Sequence, residues 1–321
     1  MRGLVVGIAS IAGALAAGPA PAAEAKAQDV KVTILSTMLA DQGIGEWGFA
    51  ALVEVDGYRL LFDTGARPET VLRNAEELKV DLTTVTDVLL SHHHGDHTGG
   101  LLTLRDSVRG KSASALSRAH VAPGMFLSRR RADRGDAEAN RMPSVRASYE
   151  ASQGQVVEHA KAEAVAPGVW VTGPVARRHP ERNFGKGVSL RTPTGLAEDT
   201  VPEDMSVVVE TTDGLVVITG CGHAGIGNIL AQARDMLPGV PVQTVIGGLH
   251  LYDADEKTLA WTAERMREAS VRQLLGAHCT GIEAVYRLRA LLGLDRKTAV
   301  VGAVGAGYSS KEGIRPGFIA Q

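Results

Sequence analysis

The sequence predicts an α/β fold built from two mixed sheets flanked by helices. Two observations carry that expectation. Two β-rich stretches, one before the middle of the chain and one after it, each pass into β-α alternation. That pattern suits two sheets better than one doubly wound sheet. Buried strands also lead into histidine at four places, His92, His223, His250 and His278. Strand ends are where a rigid scaffold holds polar groups at the mouth of a pocket. With 321 residues, 44% of them hydrophobic and 22% charged, the chain is long enough for a large core.

The first 25 residues, MRGLVVGIASIAGALAAGPAPAAEA, predict a cleaved secretory signal peptide. Arg2 is followed by an apolar run from Gly3 to Gly18, then by small residues of the A-x-A type ending near Ala23 or Ala25. The rival reading is a membrane anchor, which needs about 20 apolar residues. Pro19 and Pro21 end the run sooner. The mature protein is therefore expected in a periplasm or outside the cell, without stable membrane insertion after cleavage. Export permits a disulfide between Cys221 and Cys279, the two cysteines of the chain. Both stand beside histidines, in GCGH and AHCT, which points instead to two thiols lining one pocket. A net charge of −2 offers no attraction for nucleic acid, and 4% aromatic residues offer few stacking surfaces.

Residues 30–315 are expected to form one domain. VKVTILST (30–37) and GFAALVEVDGYRLLFDTG (48–65) read as strands, with Asp56-Gly57 as a hairpin turn. PETVLRNAEELKV (68–80) has the helical period, with Val71, Leu72, Ala75 and Leu78 on one side. VTDVLLS (85–91) reads as a short buried strand, and TGGLLTLRDSV opens the next helix. Residues 108–200 are less regular and are read as an insert or lid. Within them SRRRADRGDAEANRMPS (128–144) reads as a polar, basic loop. GVWVTGPVARRHPERNFG (168–185) passes from strand to loop, and SLRTPTGLAEDTVPED (189–204) reads as turns. The arginine clusters there are either a solvated surface or a place for an anion, with Arg177 and Arg178 the candidates. After residue 204 come a hairpin turned at Asp213-Gly214, the helix AGIGNILAQARDML and the strand VQTVIGGLH. The helix EKTLAWTAERMREA, the strand VRQLLGAHCTG, the helix IEAVYRLRALLG and a last strand, TAVVGAVGAGYSS, complete the chain.

Four of the ten histidines fall within six positions, in DVLLSHHHGDHTGG (87–100). On extended backbone, residues two apart point the same way, so His92 and His94 can converge on one ion while His93 points elsewhere. After Gly95 the chain turns, and Asp96 and His97 can face a second ion. Neutral imidazole nitrogen and carboxylate oxygen both bind zinc at about 2.0–2.2 Å.

SHHHGDHTGG resembles the H-x-H-x-D-H signature of the metallo-β-lactamase superfamily, and LLFDTG (60–65) resembles the strand that precedes it. GLVVITGCGHAGI, VIGGLHL and GAHCTG are similar to a branch of metal-dependent hydrolases related to the 7,8-dihydropterin-6-methyl-4-(β-D-ribofuranosyl)-aminobenzene-5′-phosphate synthases. The likeness spans about residues 30–310 and is loosest over 108–200. It implies an αβ/βα four-layer sandwich. It implies that His92 and His94 serve a first metal site, that Asp96, His97 and His278 serve a second, and that Asp63 braces them. The superfamily's bridging aspartate corresponds here to Cys221, with His223 two residues on; His223 is the favoured ligand and Cys221 a possible partner. The superfamily's histidine before the second hairpin is missing. DTVPEDMS offers only Asp199, Glu203 and Asp204, so His223 or His120 is expected to fill the first site.

The resemblance thus implies two divalent ions, zinc first and Mn²⁺ or Fe²⁺ as alternatives. Such a pair lowers the pKa of water to about 7 and makes a hydroxide nucleophile. Asp96 would orient the nucleophile and accept its proton, and His250 would donate to the leaving group. The expected activity is hydrolysis of a small, possibly anionic, ester, lactone or phosphodiester by an exported protein. The alternatives are a pterin-phosphate type of transferase or synthase, and a non-catalytic metal-binding protein using its cysteines. Pterin assembly is a cytosolic task, which weighs against a synthase in an exported chain.

Overall fold

The computed structural model describes residues 26–185 and 187–320. The leader expected over residues 1–25 lies outside the described residues. Among the described residues no helix is long and apolar enough to cross a membrane.

Two large sheets face one another. The first runs, in spatial order, Gly313–Arg315, Gly307–Ser309, Val30–Ser36, Ala50–Val55, Tyr58–Phe62, Asp87–Leu89, Arg118–Val121 and Gln155–Glu158. Its neighbours pair antiparallel up to Tyr58–Phe62 and parallel from there on. The second runs Ala299–Val301, Gln273–Gly276, Val242–Gly247, Gly214–Thr219, Val207–Thr211, Val169–Val171 and Glu163–Ala166. Its first four strands pair parallel and the rest antiparallel.

The period of two along each strand sorts the core into layers. Leu60, Phe62 and Leu89 of one sheet meet Val216, Ile218 and Ile246 of the other between the sheets. Their neighbours Leu61 and Val88 turn outward onto Val71, Leu101 and Leu104 of the first sheet's helices. Val217 and Val245 turn outward onto Ile229, Leu259 and Met266 of the second sheet's helices. The result is the four-layer αβ/βα sandwich, with each such side chain stabilising it by about 1.5–3 kcal/mol. The hairpin at Asp56-Gly57 forms with positive φ at both residues, 47° and 89°.

Three readings need correction. The expected last strand is two: Ala299–Val301 closes the second sheet, and Gly307–Ser309 crosses over to the first. The stretch read as turns, 189–204, holds the hairpin Val188–Thr192 and Gly195–Glu198, which joins Arg129–Arg131 in a small third sheet. The basic loop is not wholly solvated, because Arg129 is fully buried. It contacts Asp199 at 2.8 Å and Glu203 at 2.8 and 2.9 Å.

Candidate metal centre

Every parallel strand that ends near the gap between the sheets delivers a polar side chain there. Tyr58–Phe62 ends at Asp63, Asp87–Leu89 at the SHHHGDH turn, and Gly214–Thr219 at Cys221 and His223. Val242–Gly247 ends at His250 and Gln273–Gly276 at His278. Asp63, His250 and His278 all hold positive φ, 56°, 51° and 47°. Such conformations cost a non-glycine residue energy and cluster at functional sites.

Two groups of donor atoms result. His92 Nε2 and His94 Nδ1 lie 2.9 Å apart, and His223 Nε2 lies 3.2 Å from each. Beside them Asp96, His97, Cys221 and His278 place one donor each within 4.8 Å of the others. Here His97 Nε2 is 3.2 Å from His278 Nε2 and 3.1 Å from Cys221 Sγ, and His278 Nε2 is 3.2 Å from Asp96 Oδ2. Cys221 also falls within 4.8 Å of the His92 and His223 donors, so its sulfur is common to both groups.

The hydrogen bonds behind the ligands fix where their protons sit. Asp63 Oδ2 accepts from His97 Nδ1 at 2.7 Å and from Ser91 Oγ at 2.8 Å, and Asp63 Oδ1 accepts from Ser91 N at 2.7 Å. With its proton on Asp63, Ser91 Oγ can only accept from His92 Nδ1, at 2.9 Å. His223 Nδ1 donates to the carbonyl of Asn183. His92 and His223 therefore carry a proton on the outward nitrogen and turn a bare lone pair inward, while His97, its outward proton fixed by Asp63, offers its inward nitrogen to a proton or a metal ion. The inward lone pairs of His92 and His223 face one another at 3.2 Å, an arrangement that a cation between them relieves. The donor set of imidazole, thiol and carboxylate fits a divalent ion of zinc's kind.

Electrostatics agree. Burial, reinforced by neighbouring imidazoles, pushes His92, His94 and His223 well below the usual histidine value. Burial opposes charge on His97 too, but Asp63 and Asp96 outweigh it and raise His97 to about 9. A proton there is held where a metal would be. Burial likewise opposes charge on Asp96, and His97 and His278 overcome it, holding the carboxyl well below the usual range.

All six expected ligands, His92, His94, Asp96, His97, His223 and His278, come together in these two groups. His250 stands beside them, its ring 4.7 Å from that of His223. It forms one wall of a cavity of about 840 Å³ with Phe184, Tyr252 and Trp261. A smaller cavity of about 230 Å³ on the side of His93 and His94 is lined by Arg131, Arg141 and Leu102. His93 turns away, as the alternation predicts, and donates to Glu203 at 2.6 Å. His120 stands apart from both groups; its nitrogens meet Asp87 at 3.0 Å and His159 at 2.8 Å. Asp199 and Glu203 hold Arg129, while Asp204 accepts from Ala224 N at 2.8 Å and is pushed by burial to about 6. The arginines expected to hold an anion are engaged elsewhere. Arg177 donates to the carbonyls of His223 and Thr200, and Arg178 pairs with Asp235.

Sequence reasoning missed three supports. Asn183 acts through its backbone, which no side-chain pattern signals. Glu46 accepts from Ser36 Oγ, Ala66 N and Arg67 N at 2.7–3.0 Å and so holds the turn after Asp63. Trp47 packs 4.9 Å from the His278 ring and 5.7 Å from Tyr252. Ser91, directly before the histidines, was the most visible signal of the supporting bonds.

Comparison with known proteins adds four likenesses. Residues 48–268 match the family model described as the metallo-beta-lactamase superfamily. A 7,8-dihydropterin-6-methyl-4-(beta-D-ribofuranosyl)-aminobenzene-5'-phosphate synthase of Methanocaldococcus jannaschii is 25% identical over 270 residues, 81% of this chain and 90% of the relative. The crystal structure of a metal-dependent hydrolase of the beta-lactamase superfamily superposes with a TM-score of 0.66 at 27% identity, over 82% of this chain and 93% of that one. The metallo-beta-lactamase fold protein YhfI from Bacillus subtilis superposes with a TM-score of 0.54 at 14% identity, over 88% and 100% of the two chains, a likeness of fold.

Proposed function

From the premise that the chain belongs to the metallo-beta-lactamase superfamily, we propose that it is a two-ion metal hydrolase of a small ester, lactone or phosphodiester. One observation carries this reading: Ser91, Asp63 and the Asn183 carbonyl hold the outward nitrogens of His92, His97 and His223, and their inward nitrogens converge between the sheets. His92, His94 and His223 would hold one ion, Asp96, His97 and His278 the other, and Cys221 both. The imidazole and thiol donors favour zinc over Mn²⁺ or Fe²⁺. The chemistry such ions supply is Lewis acidity toward a carbonyl or phosphoryl oxygen and acidification of water.

The chain's own groups do the rest. Asp96 meets His278 through Oδ2, which leaves Oδ1 to orient the attacking water and, once the water is acidified, to accept its proton. His250, on the wall of the larger cavity, is placed to donate a proton to the leaving group. Trp47 covers the His278 ring and Tyr252 packs on Trp47, which would strengthen charge interactions beneath them. Arg141, on the wall of the smaller cavity, would favour an anionic substrate there; Arg131 beside it is already paired with Asp133 at 3.0 Å. The apolar start behind Arg2 supports export, to a periplasm or beyond. The Methanocaldococcus jannaschii relative favours a second reading, a synthase or transferase.

Metal analysis of purified protein and a panel of chromogenic esters, lactones and phosphodiesters test the proposal. Two equivalents of zinc and turnover of at least one substrate are expected. Two equivalents of zinc with no hydrolysis anywhere on the panel would turn the choice toward the synthase reading.

A further inference from the structure

The hydrolytic reading leaves Cys279 without a task. It lies one residue past His278, and its thiol donates to the Cys221 carbonyl at 3.6 Å. Cys221 and Cys279 are 3% and 1% exposed, and neither is in a disulfide. Together with His250 they place one donor atom each within 4.8 Å of the others. His250 Nδ1 is buried and has no hydrogen-bond partner among the described residues. The backbone packs closely against the thiol: a Cβ at Gly248 would fall 2.8 Å from Cys279 Sγ and 2.2 Å from the Gly220 carbonyl, so glycine there lets the sulfur keep its place.

We propose that Cys221, Cys279 and His250 form a third metal position, selective for a soft divalent cation, which competes with the two histidine-rich groups for the sulfur of Cys221. The ligand types decide the class of ion. Two sulfurs and one imidazole, with no carboxylate among them, favour a soft metal over a hard one. Charge decides the valence. Binding follows M²⁺ + 2 R–SH → M(S–R)₂ + 2 H⁺, so the filled group is neutral, which a buried site tolerates. A monovalent ion would leave a buried negative charge. The sharing of Cys221 decides the consequence: a soft ion seated here withdraws a ligand from the centre assigned above to hydrolysis. The inference rests on that centre for the competition alone.

Cadmium titration of the metal-stripped, phosphine-reduced full-length chain tests it. Thiolate-to-cadmium absorbance, protons released to a weak buffer and thiol alkylation are read together, and zinc uptake is measured separately. The first cadmium is expected to release two protons and close both thiols to alkylation. Cys279→Ser is expected to lose about half of the absorbance and to bind cadmium about tenfold more weakly or worse, while taking up zinc as the wild type does. His250→Ala is expected to weaken cadmium while both thiols stay protected. Alkylation of Cys279 at an undiminished rate with cadmium bound overturns the proposal, as does a Cys279→Ser chain equal to wild type in absorbance and affinity. The alkylation arm needs no variant, so poor folding of one does not shelter the idea. A failure of zinc uptake in the wild type would strike the hydrolase reading, not this one.

Discussion

Asp63→Asn is the sharpest test of how the centre is held. The carboxylate is fully buried and meets three donors: Ser91 N, Ser91 Oγ and His97 Nδ1, at 2.7–2.8 Å. An asparagine fits the same space but brings an NH₂ group. With donors at both oxygens, either orientation of the amide sets NH₂ against a donor. Facing Oδ2's partners, it would force His97 to accept at Nδ1 and carry its proton on Nε2, inside the ligand group. Ser91 Oγ would accept as well, and His92 would lose the partner that holds its tautomer. Loss of one such outer partner weakens metal binding about 10–100-fold, equivalent to about 1.4–2.8 kcal/mol. Two ligands are misoriented here, so the upper half of that range is expected. Competition against a chromophoric chelator measures zinc affinity, and thermal denaturation of the metal-free chain shows whether it still folds. A folded Asp63→Asn chain with zinc affinity within twofold of wild type would refute the reasoning.

Other outcomes follow from the same contacts. His94→Ala should lose metal and activity together. His93→Ala should keep both and cost about 1–3 kcal/mol of stability through the bond to Glu203, as metal analysis and chemical denaturation would show. Arg129→Met should cost about 3–5 kcal/mol, because Asp199 and Glu203 are left buried without their cation. Burial raises the Glu203 carboxyl, but His93 and Arg129 overcome it and lower the group from its usual 4.5 to about 2. Its contribution to stability is therefore full above about 4.5 and is lost as pH falls toward 2. Urea denaturation across that window should show the loss in wild type and a weaker dependence in Arg129→Met. Gly220→Ala would set a Cβ 2.1 Å from Ser91 Oγ and 2.8 Å from Asp63 Oδ2. It should cost about 1–3 kcal/mol and lower zinc retention, measured by denaturation and metal analysis.

Much of the candidate centre was legible because its donor residues obey local rules. His92, His94, Asp96 and His97 share one turn, and the alternation that excludes His93 holds. His223, His250 and His278 were legible as strand ends, since short apolar runs announce their own termini. What escaped depends on partners remote in sequence. Arg129 sits in an arginine run that reads as surface, and only Asp199 and Glu203, about seventy residues on, bury it. The hairpin Val188–Thr192 and Gly195–Glu198 lacks a buried face, so no alternation marked it. The crossing after Val301 was hidden because Gly302 and Gly305 interrupt a run that otherwise reads as one strand. His120 looked like a ligand because composition cannot show that Asp87 and His159 already satisfy its nitrogens.

Each ligand group draws on both sheets. The first takes His92 and His94 from one and His223 from the other; the second takes Asp96 and His97 from one, Cys221 and His278 from the other. Neither half of the chain can assemble a full coordination sphere by itself. Metal uptake would then gauge whether the halves have met, and a bound ion would work as a clasp across the seam. At a free concentration one hundred times its dissociation constant, an ion bound only by the closed form adds about 2.7 kcal/mol against their parting. Stripping the metal should loosen the join between the layers before it disturbs either layer's own strands.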